Sequence, residues 1–174
     1  MSLHIIVDGY NVIRQSKQLR ILDLRDMQEG REALQDILVE YRKNKGHRIT
    51  IVFDGTNTIS QDARRQRFRG IEILFSRNGE TADTVIKSMA AREKERALVV
   101  SSDRDIVLFV RSVGSASIGS REFEDKMFQA IYCDESSWLE DSPETGWVPT
   151  TRKKGPSRRL PKKRRRNQSK TIKL

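Results

Sequence analysis

The chain of 174 residues is long enough for one domain with a hydrophobic core, and too short for two domains of ordinary size. Its formal net charge of +10 is unevenly distributed along the chain. Residues 151–174 contain 12 Lys or Arg and no acid, which leaves 22 basic and 24 acidic residues in residues 1–150, a net charge of −2. We therefore expect a mildly acidic domain followed by a strongly basic tail.

The composition also excludes several classes of protein. The single cysteine, Cys133, cannot form an internal disulfide or a cysteine-rich metal site. No apolar run reaches the roughly 18 residues that a membrane-spanning helix needs, and the N-terminus lacks the pattern of a signal peptide. We therefore expect a soluble, cytoplasmic protein with no membrane partner.

Short apolar runs alternate with stretches of helical periodicity through most of the chain. The first strand is predicted at residues 3–7, and an amphipathic helix follows at 27–43, where apolar residues recur at spacings of three and four. Further along, strands are predicted at 49–53, 71–75, 97–100 and 115–118, and helices at 81–92, 105–111 and 120–131. This alternation, with strands apolar at nearly every position, is typical of a mostly parallel sheet covered by helices on both faces. We therefore predict an α/β fold with about five strands.

The periodic pattern ends near residue 132. Residues 134–150 mix acids, prolines and both tryptophans without regular spacing, so we interpret them as a partly ordered connector. Residues 151–174 are of low complexity and have too few apolar residues to build a core, so we expect them to be a disordered tail. The predicted divisions of the chain are therefore 1–133, 134–150 and 151–174.

Three of the predicted strands run into an aspartate, at Asp8, Asp54 and Asp103. Each of them alone could equally be a turn or helix-capping residue. Glu80 and Asp83, three residues apart at the start of a predicted helix, could likewise complement the helix dipole. Ligands of parallel sheets, however, bind beyond the carboxyl ends of the strands. Carboxylates gathered there repel one another unless a cation lies among them, and oxygen ligands suit Mg²⁺ or Mn²⁺.

Five short motifs resemble, in their order and spacing, the YacP-like branch of the NYN domains. They are VDGYN (7–11), FDGT (53–56), GETAD (79–83), SSDRD (101–105) and SREF (120–123). These domains are nucleases with a PIN-like fold, a three-layer, Rossmann-like sandwich, and the resemblance covers residues 3–130. It implies that the first strand lies centrally, between the second and the fourth, with Asp8 and Asp103 at adjacent strand ends.

The resemblance also implies roles for individual residues. The implied metal ligands, for Mg²⁺ or Mn²⁺, are Asp8, Asp83 and Asp103, with Glu80 and Asp105 as additional members. The implied catalytic residues are Asp8, Asn11, Asp83 and Asp103, where Asn11 would hold a carboxylate, a metal-bound water or the scissile phosphate. Ser102 and Asp54 would support them.

Such a site needs no nucleophile from the protein. A divalent ion held by carboxylates lowers the pKa of a bound water, whose attack on phosphorus leaves a 5′-phosphate and a 3′-hydroxyl. We therefore predict a divalent-metal-dependent endoribonuclease acting on mRNA or rRNA in mRNA decay or RNA processing. Since some family members are linked to ribosome-associated mRNA cleavage, the ribosome is the expected partner.

Two alternatives stay open. A noncatalytic RNA- or ribosome-binding module could keep the same fold, although clustered acids would weaken its affinity for RNA. A small-molecule phosphatase on a doubly wound sheet would share the aspartate after the first strand. That enzyme needs a second aspartate two residues later, where this chain has Tyr10.

Basic residues provide candidate contacts to RNA. The segment ARRQRFRG (63–70) combines arginines with Phe68, a composition found in RNA-binding patches and also on ordinary solvated faces. The basic tail should bind RNA, the ribosome or another acidic partner with a steep dependence on salt. The predicted RNA-binding residues are Arg64, Arg65, Arg67, Arg77, Arg104, Arg121, Lys162, Lys163, Arg164, Arg165 and Arg166.

Overall fold

The computed structural model describes residues 3–55, 64–77, 79–132, 162–172 and 174, with the backbone alone described for 162–166. The strands in these ranges are β1 (His4–Asp8), β2 (Arg48–Phe53), β3 (Arg65–Phe68), β4 (Ile71–Phe75), β5 (Ala97–Val100) and β6 (Ala116–Ile118). The helices are α1 (Gly9–Gln15), α2 (Lys17–Arg25), α3 (Met27–Lys45), α4 (Ala82–Glu93), α5 (Arg104–Ser112), α6 (Ser120–Tyr132) and α7 (Lys162–Thr171). None of the described helices is long and apolar enough to cross a membrane.

The strands form a single sheet in the order β3-β4-β2-β1-β5-β6. Every neighbouring pair is parallel except β3 and β4, which are antiparallel. The mostly parallel sheet and the central position of β1 between β2 and β5 confirm the predicted fold. The strand β3 was not predicted, because its sequence, RQRF, is charged rather than apolar. It is held at the edge by pairing with β4, and Arg65 also forms an ion pair with Glu72 of that strand.

Helices cover both faces of the sheet and give the three layers expected of the family. Residues of β1 alternate between the faces, so Ile5 and Val7 pack against α1, α3 and α6. On the opposite face, Ile6 packs with α4 and α5. Because both faces are buried, most residues of the parallel strands are apolar, and buried polar residues such as Thr50 and Glu72 are hydrogen-bonded to each other.

The chain passes from β1 into α1 without a loop. Asp8 is the N-cap of α1, and its side chain accepts a hydrogen bond from the backbone N–H of Asn11. Gly9 lies so close to β2 that a Cβ atom there would stand 2.3 Å from Cε1 of Phe53. Asp103 caps α5 and Thr81 caps α4 in the same way. Three helices therefore begin at the carboxyl edge of the sheet.

We expected residues 151–174 to be disordered, but part of this tail forms helix α7. Helix α7 lies beside the edge strand β6, where Asn167 accepts from the backbone N–H of Ser117 (2.8 Å) and donates to its carbonyl oxygen (3.1 Å). Leu174 is buried, and Tyr41 Oη donates to its main-chain oxygen at 3.2 Å. Edge strands have unpaired backbone groups, and Asn167 satisfies two of them. Residues 133–161, which include the predicted connector, lie outside the described residues.

The contact between α7 and β6 predicts a measurable contribution to stability. In Asn167→Ala the buried N–H and C=O of Ser117 lose their partner, which should lower the free energy of unfolding by about 1–3 kcal/mol in a urea titration. The control is Gln168→Ala, which removes an exposed amide from the same helix. Equal stability of the two variants would mean that α7 is not docked through Asn167.

Candidate active site

Carboxylates meet at the carboxyl edge of the three central strands. Asp8 ends β1, Asp54 directly follows β2, and Asp103 follows β5 after two serines. Asp8 is buried, with 8 % of its surface exposed, whereas Asp54 and Asp103 are exposed. The parallel pairing of β1 with both neighbours therefore brings the three predicted aspartates to one side of the molecule.

Both oxygens of Asp8 accept hydrogen bonds from the protein. The backbone N–H of Asn11 donates to Oδ1 at 3.2 Å, and Ser101 Oγ donates to Oδ2 at 2.9 Å. Ser101 Oγ also accepts from the backbone N–H of Asp103 at 3.1 Å, so one hydroxyl links the two aspartates. Burial raises the pKa of Asp8 to about 6; the two hydrogen bonds oppose the rise, and the charges of Asp83 and Asp54 add to it.

Asp83 belongs to the same negatively charged region. It lies half-buried in the first turn of α4, and burial, followed by the charge of Asp103, raises its pKa. The charge of Asp54 acts in the same direction. Asp54 also accepts from the backbone N–H of Ala82 at 2.7 Å, which ties the end of β2 to the start of α4. The pKa shifts thus show that these aspartates repel one another.

The remaining predicted metal ligands, Asp105 and Glu80, have different surroundings from those of Asp8 and Asp83. Asp105 is exposed and forms an ion pair with Lys87 of α4, and this hydrogen bond is the main reason why the pKa of Lys87 is raised. Lys87 also lies 6.0 Å from the ring centre of Phe109. Glu80 is half-buried before α4, where its backbone N–H donates to the carbonyl of Arg77. The carboxylate of Asp105 is therefore already paired with the ammonium group of Lys87.

The acidic residues fit a magnesium-type ion by their chemistry. Asp8 and Asp83 have raised pKa values because they are buried and because like charges are gathered around them, and a divalent cation would relieve that repulsion. Within the described ranges, no three acidic, histidine or cysteine side chains stand close enough to hold a metal ion together. Mg²⁺ usually keeps several of its waters and binds through one or two carboxylates, so it does not require such a group.

Asn11 fixes the backbone around the carboxylates. Its Oδ1 accepts from the backbone N–H of Ser102 (2.9 Å) and from Ser120 Oγ (2.7 Å). Ser102 Oγ in turn accepts from the backbone N–H of Ser120 at 3.0 Å. These bonds join α1, the loop after β5 and the first residue of α6. Sequence reasoning missed Ser101 and Ser120, although both lie inside the motifs SSDRD and SREF, because only the fold shows their partners.

The predicted RNA-binding arginines fall into two groups. Arg64 and Arg65 lie toward the carboxyl end of β4, where Arg65 is opposite Leu74, and Arg67 is exposed further along β3. Phe68 lies at the opposite end of the sheet, packs against the core and is covered by Arg69 at 5.2 Å. Arg65 and Phe68 thus lie at opposite ends of β3, and contact of this segment with RNA stays a prediction.

The second group is close in sequence to residues of the candidate site. Arg104 directly follows Asp103, Arg121 directly follows Ser120, and Arg77 lies after β4; all three are exposed. The remaining predicted contacts, Lys162, Lys163, Arg164, Arg165 and Arg166, lie in the first half of α7, and their side chains are outside the described part of the structure. Arg77, Arg104 and Arg121 are thus exposed and close in sequence to residues of the candidate site.

Comparison with known proteins agrees with the motifs and the sheet. A family model for the YacP-like NYN domain matches residues 5–167. The uncharacterized protein YacP of Bacillus subtilis (strain 168) is 33% identical over 86 residues, 49% of this chain and 50% of that protein. The aligned segment thus spans about half the length of this curated relative.

Two crystal structures of Rae1 (YacP) from Bacillus subtilis are similar to the whole fold. The first has a TM-score of 0.63 at 27% identity and covers 78% of this chain and 79% of that chain. The second, of a mutant with a tryptophan replaced by leucine, has a TM-score of 0.62 at 25% identity and covers 76% and 79%. Since the family model spans nearly the entire chain, this protein belongs to the YacP-like NYN domain family, whose fold is of the nuclease type.

Proposed function

We propose that this protein is a divalent-metal-dependent endoribonuclease that hydrolyses phosphodiester bonds of mRNA or rRNA, in mRNA decay or RNA processing, with the ribosome as a partner. The observation that carries the proposal is Asp8. A buried carboxylate with a pKa raised to about 6 is costly to the fold, and groups perturbed in this way cluster at functional sites. Family membership supports nuclease chemistry at the same edge of the sheet.

The donor set suggests which residues would hold the ion. Asp8, Asp83 and Asp103 would bind Mg²⁺ or Mn²⁺, with Glu80 next to them, whereas Asp105 would join only if its ion pair with Lys87 opened. When bound, the ion supplies a Lewis acid and lowers the pKa of a bound water.

The chain's own residues would orient the substrate and the water. Asp8, ionised above its pKa, can accept a hydrogen bond from a water at the carboxyl edge, and Ser101 and Asn11 hold it in a single orientation. Arg104 and Arg121 are exposed, and their guanidinium groups would bind phosphates of the RNA. A noncatalytic RNA-binding module is the alternative. It is favoured by one observation: within the described ranges, no three acidic, histidine or cysteine side chains lie close enough to hold a metal ion together.

Cleavage of RNA should depend on Asp8 and on a divalent ion. Wild-type protein with Mn²⁺ should cut a single-stranded RNA and leave a 5′-phosphate and a 3′-hydroxyl, and EDTA should stop the reaction. Asp8→Asn should reduce the rate by at least about 100-fold, because it removes a charge that acts on the reacting groups. Rates and end groups can be read on gels after phosphatase or kinase treatment.

The matched control is Asp125→Asn, the same change at an exposed acid of α6 that lies outside the site. It should retain the wild-type rate. Equal cleavage by wild type, Asp8→Asn and the EDTA sample would exclude the metal-nuclease proposal. RNA binding without cleavage by the wild type would favour the noncatalytic module.

The raised pKa of Asp8 predicts how stability depends on pH in metal-free buffer. Since the folded-state pKa of about 6 exceeds the usual value of 3.8, the stability contributed by the protonated carboxyl is present at low pH and is lost as the pH rises through 6. Asp8→Asn mimics the protonated form. Its stability relative to wild type should therefore increase by about 2 kcal/mol between pH 4 and pH 7.5 in urea titrations. Parallel curves for the two proteins would contradict the raised pKa.

The basic first half of α7 should add to RNA affinity by charge alone. Replacing its five basic residues with Gln should weaken binding to single-stranded RNA at 50 mM salt and reduce the salt slope by roughly 0.7 for each phosphate that is no longer neutralised. Fluorescence anisotropy at several salt concentrations measures both effects. The residues concerned are Lys162, Lys163, Arg164, Arg165 and Arg166.

A double variant, Lys43→Gln with Lys45→Gln at the end of α3, shows whether any loss of positive charge has the same effect. An unchanged slope in the α7 variant would show that its cations do not bind phosphates.

A further inference from the structure

A column of aromatic and arginine side chains stands beside the carboxylates and has no part in the proposed cleavage chemistry. Tyr10 contacts Phe53 edge-to-face with ring centres 5.1 Å apart, and Phe53 stacks on Phe75 at 5.7 Å. The guanidinium carbon of Arg14 lies 5.6 Å from the ring centre of Tyr10, and that of Arg31 lies 5.7 Å from Phe75. The column therefore has an arginine at both ends.

Tyr10 is held in a fixed position within this column. Phe53 is fully buried and supports the ring of Tyr10 from the core side. Tyr10 Oη donates a hydrogen bond to Met27 Sδ at 3.1 Å, which anchors the ring to α3. Gly9 places the backbone directly against Phe53, so α1 cannot shift without displacing that ring. Arg14 is exposed and forms the outer layer over a rigid aromatic support.

The column adjoins the site because of the geometry of α1. Tyr10 follows Asp8 by two residues, and Arg14 lies one turn further along the same face of the helix. Asn11 is directed to the other flank, toward Ser102 and Ser120. An RNA phosphate next to Asp8 would therefore have the Asn11 flank on one side and the Tyr10–Arg14 pair on the other.

We propose that Arg14 and Tyr10 form a stacking platform for an unpaired base of the RNA, adjacent to the phosphate that is cleaved; the substrate class rests on the function proposed above. Unpaired RNA bases stack on arginine planes and on aromatic rings, and such contacts tolerate different sequences because every base has a π face. A base inside a duplex is already stacked and paired, so it cannot reach the platform. The platform therefore selects single-stranded cleavage sites.

A second arginine–aromatic pair, in the arginine-rich segment, does not offer the same surface. Phe68 with Arg69 has a similar composition, but it lies at the amino end of β4, away from Asp8, and its ring packs against the core. Arg69 is also within 3.9 Å of Asp36. Proximity to the carboxylates thus distinguishes Tyr10 and Arg14.

The test compares Arg14→Lys with Arg14→Gln in the full-length protein, in EDTA so that RNA is bound but not cut. Arg14→Lys keeps the charge and loses the planar group, so stacking predicts that both variants bind single-stranded RNA about tenfold more weakly. The probe is a short RNA with one fluorescent 2-aminopurine base, whose quenching reports stacking.

Arg20→Lys, at an exposed arginine of α2, is the matched control and should behave as wild type. Tyr10→Leu, which removes the aromatic ring below Arg14, should lose both affinity and quenching.

The outcomes separate this proposal from the nuclease proposal. If Arg14→Lys keeps wild-type affinity and quenching while Arg14→Gln loses both, Arg14 contacts a phosphate. That result would overturn the platform even if the protein cleaves RNA. Wild-type behaviour of both Arg14 variants would overturn it as well. Loss of affinity and quenching in both Arg14 variants would support the platform. This conclusion would hold even if the wild type does not cleave RNA with Mn²⁺, a result that would overturn the nuclease proposal. A wild type that does not bind single-stranded RNA would overturn both.

Discussion

The hydrogen bond from Ser101 Oγ to Asp8 Oδ2 joins the ends of the two central strands, and the geometry of the site depends on it. Asp8 loses most of its hydration at the end of β1, which penalises the charged form. Its two hydrogen bonds, to Ser101 and to the backbone of Asn11, reduce that penalty without removing it. The same serine fixes the backbone N–H of Asp103. Burial of the Asp8 charge is unfavourable for folding, and the hydrogen bond from Ser101, directly after β5, partly offsets that cost. The same bond aligns the ends of β1 and β5.

A second layer of short polar side chains extends this arrangement to the rest of the sheet edge. Asn11 links α1 to Ser102, in the loop after β5, and to Ser120, the first residue of α6. Asp54 performs the same task on the other side by capping the first turn of α4. Because each side chain is short and bonded to backbone groups, the start of α4 that carries Asp83 and the loop that carries Asp103 have little freedom. The result is a rigid frame with several repelling charges inside it.

Much of this frame could be predicted from the sequence, because it follows from apolar strands and from the motifs at their ends. Buried parallel strands are mostly apolar, so the aspartates that follow or end them stand out in the sequence. The partners of those aspartates could not be predicted, since Ser101 is 93 residues from Asp8 and Ser120 is 109 from Asn11. The docking of α7 was missed for a similar reason: it depends on Asn167 and on long-range contacts rather than on composition.

The proposed substrate, RNA, is a polyanion, whereas the candidate site is acidic. The carboxylates that suit a metal ion also repel RNA, so the attraction has to come from outside the cluster. Lys87 forms an ion pair with Asp105, Arg104 and Arg121 are exposed, and the largest positive charge in the sequence lies in residues 151–174. A stacking platform at Arg14 adds affinity that depends less on salt than phosphate contacts do. Charge would therefore bring RNA to the protein, whereas stacking next to Asp8 would determine which phosphate reaches the carboxylates.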